Sequence, residues 1–293
     1  IRLNADGSRD ITFNLDDIVN GTVKAILLQP DGRILIGGNL DSYFGREGIV
    51  RLNQNGSTDF TFTGNGFNFG NYVSAIASQP DGKILIGGSF GSYNNESAFN
   101  LIRVNGNGVR DASFVPGVTA EVSAIAVQPD GKAIIGGRFT TVNGATRKHL
   151  TRLNTDGTSD ASFNTGNGIT GIDPGVNSIT IQPDGKIIIG GNFDSYNGVN
   201  RNALVRTNAD GSIDNSFDIG SGIDPRFPEA VFVTTLQSDG KLLAGGNFNR
   251  YREAKYSGLV RILTRKISIY DYDGDGKADV SVFRPASGTW YLN

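Results

Sequence analysis

Residues 122–137 read Val-Ser-Ala-Ile-Ala-Val-Gln-Pro-Asp-Gly-Lys-Ala-Ile-Ile-Gly-Gly. Apolar residues alternate with small or polar ones at the start, and a short apolar run follows Pro129-Asp130-Gly131. Proline presets φ for the first turn position, aspartate accepts a bond from the nearby backbone, and glycine takes a positive φ. The stretch therefore predicts two β-strands joined by a tight turn.

The same phrase recurs along the chain, with steps of 50, 49, 54 and 55 residues. Arginine replaces its lysine in the first copy, and serine replaces its proline in the last. Each copy adds a third strand and a second turn, and residues 159–163 of the third copy suggest a short fourth strand. A period of about fifty residues built from short strands indicates an all-β fold, a β-propeller. Ile-Leu-Ile runs such as 84–86 predict strands buried on both faces. The copies start at Gln29, Gln79, Gln128, Gln182 and Gln237.

Arginine and aspartate recur eight residues apart across the second turn. This spacing predicts a hydrogen-bonded staple that holds the turn to the third strand. The functional alternative is a ring of charged ligand sites. The pairs are Arg2 and Asp10, Arg51 and Asp59, Arg103 and Asp111, Arg152 and Asp160, and Arg206 and Asp214.

The two ends of the repeat array look complementary. The fifth copy lacks the ending Leu-Asn-x-Asp-Gly-Ser-x-Asp-x-x-Phe, and the chain begins with it at residues 3–13. We therefore predict a propeller over residues 1–263, with residues 1–13 closing the last of five blades. The alternative is six blades, because residues 264–293 plus 1–20 add up to about one repeat length. The start at Ile1, without a charged and then apolar leader, predicts a mature form or a fragment.

The core Gln-Pro-Asp-Gly-Lys-Ile-x-Ile-Gly-Gly-x-Phe and the ending quoted above resemble the delta-sixty repeats of large bacterial surface and secreted proteins. The resemblance covers residues 1 to about 263 and five copies. It implies an exported bacterial propeller of unknown function, and it implies no activity.

Residues 271–279 read Asp-Tyr-Asp-Gly-Asp-Gly-Lys-Ala-Asp and break the repeat. Carboxylates stand at loop positions one, three, five and nine, with a glycine at six and a backbone carbonyl available at seven, which fits calcium. Val282 at position twelve and the strand-like flanks exclude an EF-hand. A solvated acidic turn is the alternative.

With the Gly-Thr-Trp-Tyr segment, this loop resembles an FG-GAP or VCBS repeat. The resemblance implies that residues 264–293 form an FG-GAP-like calcium-binding β unit, either an extra blade or the start of a second propeller. It implies calcium ligands at Asp271, Asp273, Asp275, Asp279 and, through its backbone, Lys277.

Composition excludes several kinds of chemistry. The net charge is −2 without a basic stripe, so we expect no nucleic-acid partner. No apolar run approaches eighteen residues, so we expect no membrane span. Cysteine is absent and His149 is the single histidine, which excludes zinc sites. The abundance of Asn, Ser, Thr and Gly, with 19% charged residues, favours a secreted or cell-surface protein.

A tyrosine follows Gly-Gly in four copies, at Tyr43, Tyr93, Tyr196 and Tyr251. Such residues could contact glycans or protein partners between blades, and the alternative is packing between loop and strand. We expect a non-enzymatic extracellular scaffold or adhesion module that binds protein, glycan or itself. The first alternative is a propeller lectin. The second is a glycoside hydrolase with axial carboxylates, although the non-repeating acids, such as Glu121, show no motif.

Overall fold

A computed structural model describes residues 1–15, 19–42, 47–64, 66–67, 71–219, 222–223, 230–252, 254–256, 258–264, 281–284 and 289–292. Every regular element in these ranges is a β-strand, which confirms the all-β prediction. In the same ranges no helix is long and apolar enough to cross a membrane.

Within the described ranges, five of the six three-stranded antiparallel sheets are the five blades, and the sixth is formed around the small hairpin of blade four. Each of blades two to five also carries a two-residue-strand hairpin between its second and third strands. Blade one consists of β1 (Val19–Leu28), β2 (Ile34–Ser42) and β3 (Ile49–Leu52). Blade two consists of β4 (Tyr72–Ser78), β5 (Ile84–Ser89), the hairpin β6 (Ser92–Tyr93) and β7 (Glu96–Ser97), and β8 (Leu101–Val104). Blade three consists of β9 (Val122–Val127), β10 (Ala133–Gly137), the hairpin β11 (Thr141–Val142) and β12 (Ala145–Thr146), and β13 (Leu150–Leu153).

The remaining strands complete blades four and five and a separate hairpin. In blade four the short strand β14 adds to the edge of the small hairpin. Blade four consists of β14 (Ile169–Thr170), β15 (Gly175–Ile181), β16 (Ile187–Asn192), β17 (Ser195–Tyr196), β18 (Val199–Asn200) and β19 (Leu204–Thr207). Blade five consists of β20 (Ala230–Leu236), β21 (Leu242–Asn247), β22 (Arg250–Tyr251), β23 (Ala254–Lys255) and β24 (Leu259–Ile262). The separate hairpin pairs β25 (Ser281–Arg284) with β26 (Thr289–Leu292).

The turn between the first two strands has the predicted chemistry. In blade two the amide of Gly82 donates to the carbonyl of Gln79 at 3.0 Å, and Gly82 has φ +81°. The amide of Lys83 donates to Oδ1 of Asp81 at 3.1 Å. The first strand of every blade also contains a bulge, which lies between Val73 and Ala75 in β4. Bulges increase strand twist, which suits sheets arranged around a common centre.

The blades pack face to face in chain order, with the first strands of neighbouring blades in contact. The core lies between blades, because Leu35 and Ile49 of blade one share one cluster with Ile84 and Ile86 of blade two. The second strand of blade two is buried on both faces, as predicted: residues 84–86 are all fully inaccessible.

The structure differs from the predicted blade in two details. An additional hairpin, β11–β12, lies between the second and third strands, and its residues Asn143 and Gly144 both take the positive φ of a tight two-residue turn. Residues 159–163 form no strand; a single bridge joins Ser159 to Leu153, and the chain then turns. Residues 154–163 and their counterparts in the other copies are called the blade tail below.

The N-terminal residues 1–14 form a tail of the same kind. The amide of Asn14 donates to the carbonyl of Asn55 at 2.9 Å, so this tail packs on the turn of blade one. The counterpart after blade three behaves alike, because the amide of Asn164 donates to Asp210 O at 2.7 Å in blade four. Closure of the last blade by residues 1–13 stays a prediction.

Candidate functional site

The repeated arginines form clamps between blades. In the third blade, Nε of Arg152 lies 2.7 Å from Oδ2 of Asp160, and its guanidinium covers the Phe163 ring at 5.0 Å. Its Nη1 donates to the carbonyl of Ala209, in the tail turn of the next blade, at 2.7 Å. The predicted staple is confirmed, and it has a second function: it joins each blade to the following one.

All five copies share the arrangement. The arginine–phenylalanine centroid distances range from 4.5 to 5.0 Å. The carbonyls that the arginines reach in the following blades are those of Gln54, Gly106, Thr155, Ala209 and Thr264.

A lysine from the first turn completes the clamp, which sequence reasoning missed. Lys132 Nζ lies 2.8 Å from Oδ2 of Asp160, and Lys83 and Lys186 make the same contact with Asp111 and Asp214. The signal was present in the sequence, since each lysine precedes its aspartate by 28 residues. In the fifth blade Lys241 instead pairs with Asp239, the turn aspartate, at 2.5 Å.

The clamp keeps its carboxylates ionised. Burial alone would raise the pKa of Asp160, but hydrogen bonds from Lys132 and Ser162 hold it well below the usual range. The partly buried Asp10 has its pKa lowered to about 2, chiefly by hydrogen bonds from Thr12. Carboxylates held in this way suit structural ion pairs rather than proton donation.

The repeated tyrosines lie in the core. Tyr93 and Tyr196 are fully inaccessible, and their hydroxyls donate to the carbonyls of Gly108 at 2.6 Å and Gly211 at 2.5 Å. Burial raises the pKa of Tyr196 far above its usual value. Tyr251 is also buried, whereas Tyr43 lies outside the described residues. Glycan or partner contact by Tyr93 and Tyr196 is therefore wrong, because both side chains are fully buried. They pack inside the protein, as in the alternative of packing between loop and strand, and their hydroxyls bind the blade tail.

The neighbouring asparagines also serve the scaffold. Oδ1 of Asn143 accepts from the amide of Gly117 at 3.1 Å, and its Nδ2 donates to the carbonyl of Gly157 at 3.0 Å. Oδ1 of Asn197 accepts from the amide of Asn167 at 3.0 Å. These bonds tie each small hairpin to the segments beside it.

One polar cluster that is not repeated in the other blades joins the first strands of blades one and two to Glu121, the residue before the first strand of blade three. Lys24 Nζ lies 3.7 Å from the ring centroid of Tyr72, and Ser74 Oγ donates to Oε1 of Glu121 at 2.8 Å. Burial, together with the charge of Glu121, raises the pKa of Tyr72. Arg138, which follows β10, donates its amide to the carbonyl of Glu121 at 2.9 Å. We refer to Lys24, Tyr72, Ser74 and Glu121 as the first-strand cluster.

The first-strand cluster was missed from the sequence. Glu121 stood out only as an acid outside the repeat, and nothing local linked it to Ser74, 47 residues away. Its members bring an ammonium group, a carboxylate, a hydroxyl and an aromatic face together, which suits recognition of a polar ligand.

The predicted calcium ligands Asp271, Asp273, Asp275, Lys277 and Asp279 lie outside the described residues. The strands β25 and β26 follow the loop. Within the described ranges, no group of three or more His, Cys, Asp or Glu residues could hold a metal ion.

Comparison with known proteins identifies the family. The model of a β-propeller domain of unknown function, DUF5122, matches residues 29–62, 79–114, 128–163, 182–217 and 237–264, more than half of the chain. The chain belongs to this family of β-propeller repeats. The matched segments end at residue 264, so the FG-GAP resemblance beyond it stays a prediction. No curated protein matches the chain.

Solved structures resemble the chain at low identity. The extracellular domain of BT4673 from B. thetaiotaomicron is 14% identical with a TM-score of 0.48, over 92% of this chain and 32% of that one. The gluconolactonase XC5397 from Xanthomonas campestris is 10% identical with a TM-score of 0.49, over 96% of this chain and 84% of that one. Virginiamycin B lyase from Staphylococcus aureus is 14% identical with a TM-score of 0.44, over 92% and 83%. The chain thus spans about a third of the first of these structures.

Proposed function

We propose that the protein is a non-enzymatic binding scaffold that works outside the cell. The observation that carries this proposal is the use of the repeated charged residues. Asp160 binds both Arg152 and Lys132, and Arg152 also binds the next blade through the carbonyl of Ala209. The residues that recur most regularly are thus committed to joining blades, which leaves recognition to residues that differ between blades.

The first-strand cluster is the place where we propose that a ligand binds. Lys24 is exposed, and Tyr72 and Glu121 are partly exposed, so their polar atoms can reach a partner. A sugar hydroxyl or a polar peptide group would suit the carboxylate and the ammonium, with stacking on the tyrosine. The composition, rich in Asn, Ser, Thr and Gly with 19% charged residues, supports an extracellular location.

The test combines binding and turnover. The protein is passed over a glycan array and immobilised extracellular-matrix proteins, and is incubated with a panel of chromogenic glycosides. We expect saturable binding without turnover, weakened at least tenfold by Lys24→Ala and by Glu121→Gln. Lys255→Ala, in the exposed strand β23, is the matched control and should change nothing. Turnover that is lost in Glu121→Gln would instead identify a hydrolase.

We propose further that residues 271–279 bind calcium and stiffen the C-terminal unit. The proposal depends on the spacing of four carboxylates and a glycine, which suits an oxygen-ligated ion of this size. Calcium there would have a structural role.

A further inference from the structure

The first blade exposes a side chain that is buried in every other blade. Val73, Val122, Val176 and Val231 stand at one position of the first strand, just before the bulge, and all four are 0% exposed. Val23 occupies the same position in β1 and is 42% exposed. Ile26, three residues further on, is 69% exposed. The outer face of blade one is thus an interblade surface on which none of the described strands packs.

In each internal contact, the first-strand valine packs against a glycine in the second strand of the preceding blade. A Cβ on Gly87 would lie 2.8 Å from Cγ1 of Val122, so only glycine allows the two blades to approach. Gly37, Gly136 and Gly190 meet Val73, Val176 and Val231 in the same way. Gly245 is the counterpart in blade five, and the side chains near it are Val233 and Leu259 of its own blade.

Leu259 confirms that the last blade is open on this side. It begins the third strand, where Ile49, Leu101, Leu150 and Leu204 are at most 2% exposed, and it is itself 58% exposed. Val233 adds to the apolar surface, since alanine or serine fills its position in the other blades. Blade five therefore exposes the glycine side of the interblade contact, and blade one exposes the valine side.

The N-terminal tail and blade five are complementary in a second way. The hydroxyls of Tyr93 and Tyr196 donate to glycine carbonyls in the tails of their own blades. Tyr251 of blade five instead borders a cavity of about 410 Å³ that Tyr256, Ile262 and Leu263 also line. In the N-terminal tail, Gly7 takes the place of Gly108 and has the same positive φ, +84° against +88°.

We propose that two copies of this chain associate head to tail, with blade one of one copy packed on blade five of the other. Val23 would enter the space beside Gly245, and residues 4–13 would occupy the cavity beside Tyr251. We infer a second copy as the partner because the exposed faces of blade one and blade five have the same residues as the valine–glycine contact that joins neighbouring blades four times within the chain. The contact is heterologous, so it can continue from copy to copy. The association is independent of what the loops bind.

Disulfide trapping tests the proposal, since the chain has no cysteine of its own. In the equivalent internal contact, Cβ of Val122 lies 3.1 Å from a Cβ built on Gly87, close to the ~3.5–4.5 Å that a disulfide needs. Val23→Cys and Gly245→Cys proteins, mixed under mild oxidation, should give a covalent dimer that neither gives alone. Ile172→Cys, at a position more exposed than Val23, should give no dimer with Gly245→Cys.

The double variant Val23→Cys/Gly245→Cys separates the proposal from ring closure. Head-to-tail association predicts a ladder of covalent dimers and larger species, whereas closure within one chain predicts a cross-linked monomer, which would overturn the proposal. Sedimentation of the cysteine-free protein gives an independent answer. We expect its mass to rise with concentration, and Val23→Asp, but not Ile172→Asp, to abolish the rise. A monomer at every concentration together with no cross-linking would also overturn it.

Discussion

Arg152 and Arg2 occupy the same place in the repeated clamp but differ in exposure. The side chain of Arg152 is 10% exposed and that of Arg2 is 40% exposed. We expect Arg152→Met to lower the free energy of unfolding by about 3 kcal/mol, because it leaves Asp160 and the Ala209 carbonyl with fewer partners while Lys132 remains. Arg2→Met should cost less than about 1 kcal/mol. Urea unfolding of both variants measures the difference; equal losses would contradict a clamp whose strength depends on burial.

His149 is a buried residue with φ +68°, at a position where Gly48 and Asn100 also take positive φ. Burial lowers its pKa below 6.5, while Lys148 and Arg138 lower it further and Asp173 opposes them. The unfolded chain then binds more protons below pH 6.5, so the native state loses stability as the pH falls from there. The loss can reach at most about 1.4 kcal/mol per pH unit for one group.

The variant His149→Asn keeps the left-handed backbone and removes the titration. We expect thermal unfolding curves of the variant at pH 7.5 and pH 5 to differ less than those of the original chain. An unchanged pH dependence would show that another group is responsible.

At the scale of elements, the glycine pair at the end of each second strand sets how closely blades approach. Gly87→Ala should cost about 1–3 kcal/mol, because its methyl group would overlap Val122 of the next blade. Gly245→Ala is the matched control, since its new Cβ would first meet Val233 at 3.2 Å within its own blade, and should cost less than about 1 kcal/mol. Denaturant midpoints compare them, and similar costs would contradict the proposed open face of blade five.

The carboxylate loop is the element with the clearest ligand prediction. Calorimetric titration should detect calcium binding, and the double variant Asp273→Asn/Asp275→Asn should abolish it because two anionic ligands become neutral. Trp290, the single tryptophan, lies in β26, so its fluorescence offers a second reading of the same event. The variant Asp16→Asn/Asp17→Asn, with the same change in charge elsewhere, should bind calcium unchanged. No heat at millimolar calcium would remove the assignment.

For the whole molecule, the clamps predict a loss of stability in acid. The pKa values of Asp111, Asp160 and Asp214 lie well below the usual range, and that of Asp10 is about 2. A carboxylate with a lowered native pKa stabilises the fold fully above its unfolded pKa of about 3.9 and loses that stabilisation as the pH falls toward the native value. We expect unfolding free energy to fall steeply below pH 4, and less steeply in Asp160→Asn. Circular dichroism during acid titration provides the measurement.

Local pattern was enough to predict the blade, because the turn chemistry of Pro80, Asp81 and Gly82 acts over four residues. The Arg–Asp staple could also be predicted from the sequence, because its two residues are only eight positions apart. Contacts between blades could not, since Arg152 reaches Ala209 over 57 residues and Ser74 reaches Glu121 over 47. The tyrosines were ambiguous for a related reason: their exposure depends on a tail that passes over them fifteen residues later.

The forward reach of each arginine has a consequence for how such proteins change length. At every junction the same hydrogen bond joins the arginine guanidinium of one unit to a backbone carbonyl of the next. A gene segment of one period, about fifty codons, could therefore be duplicated or lost in frame without requiring a new type of contact between blades. Relatives could then differ in repeat number with few other substitutions, and those substitutions would fall in the first and last units.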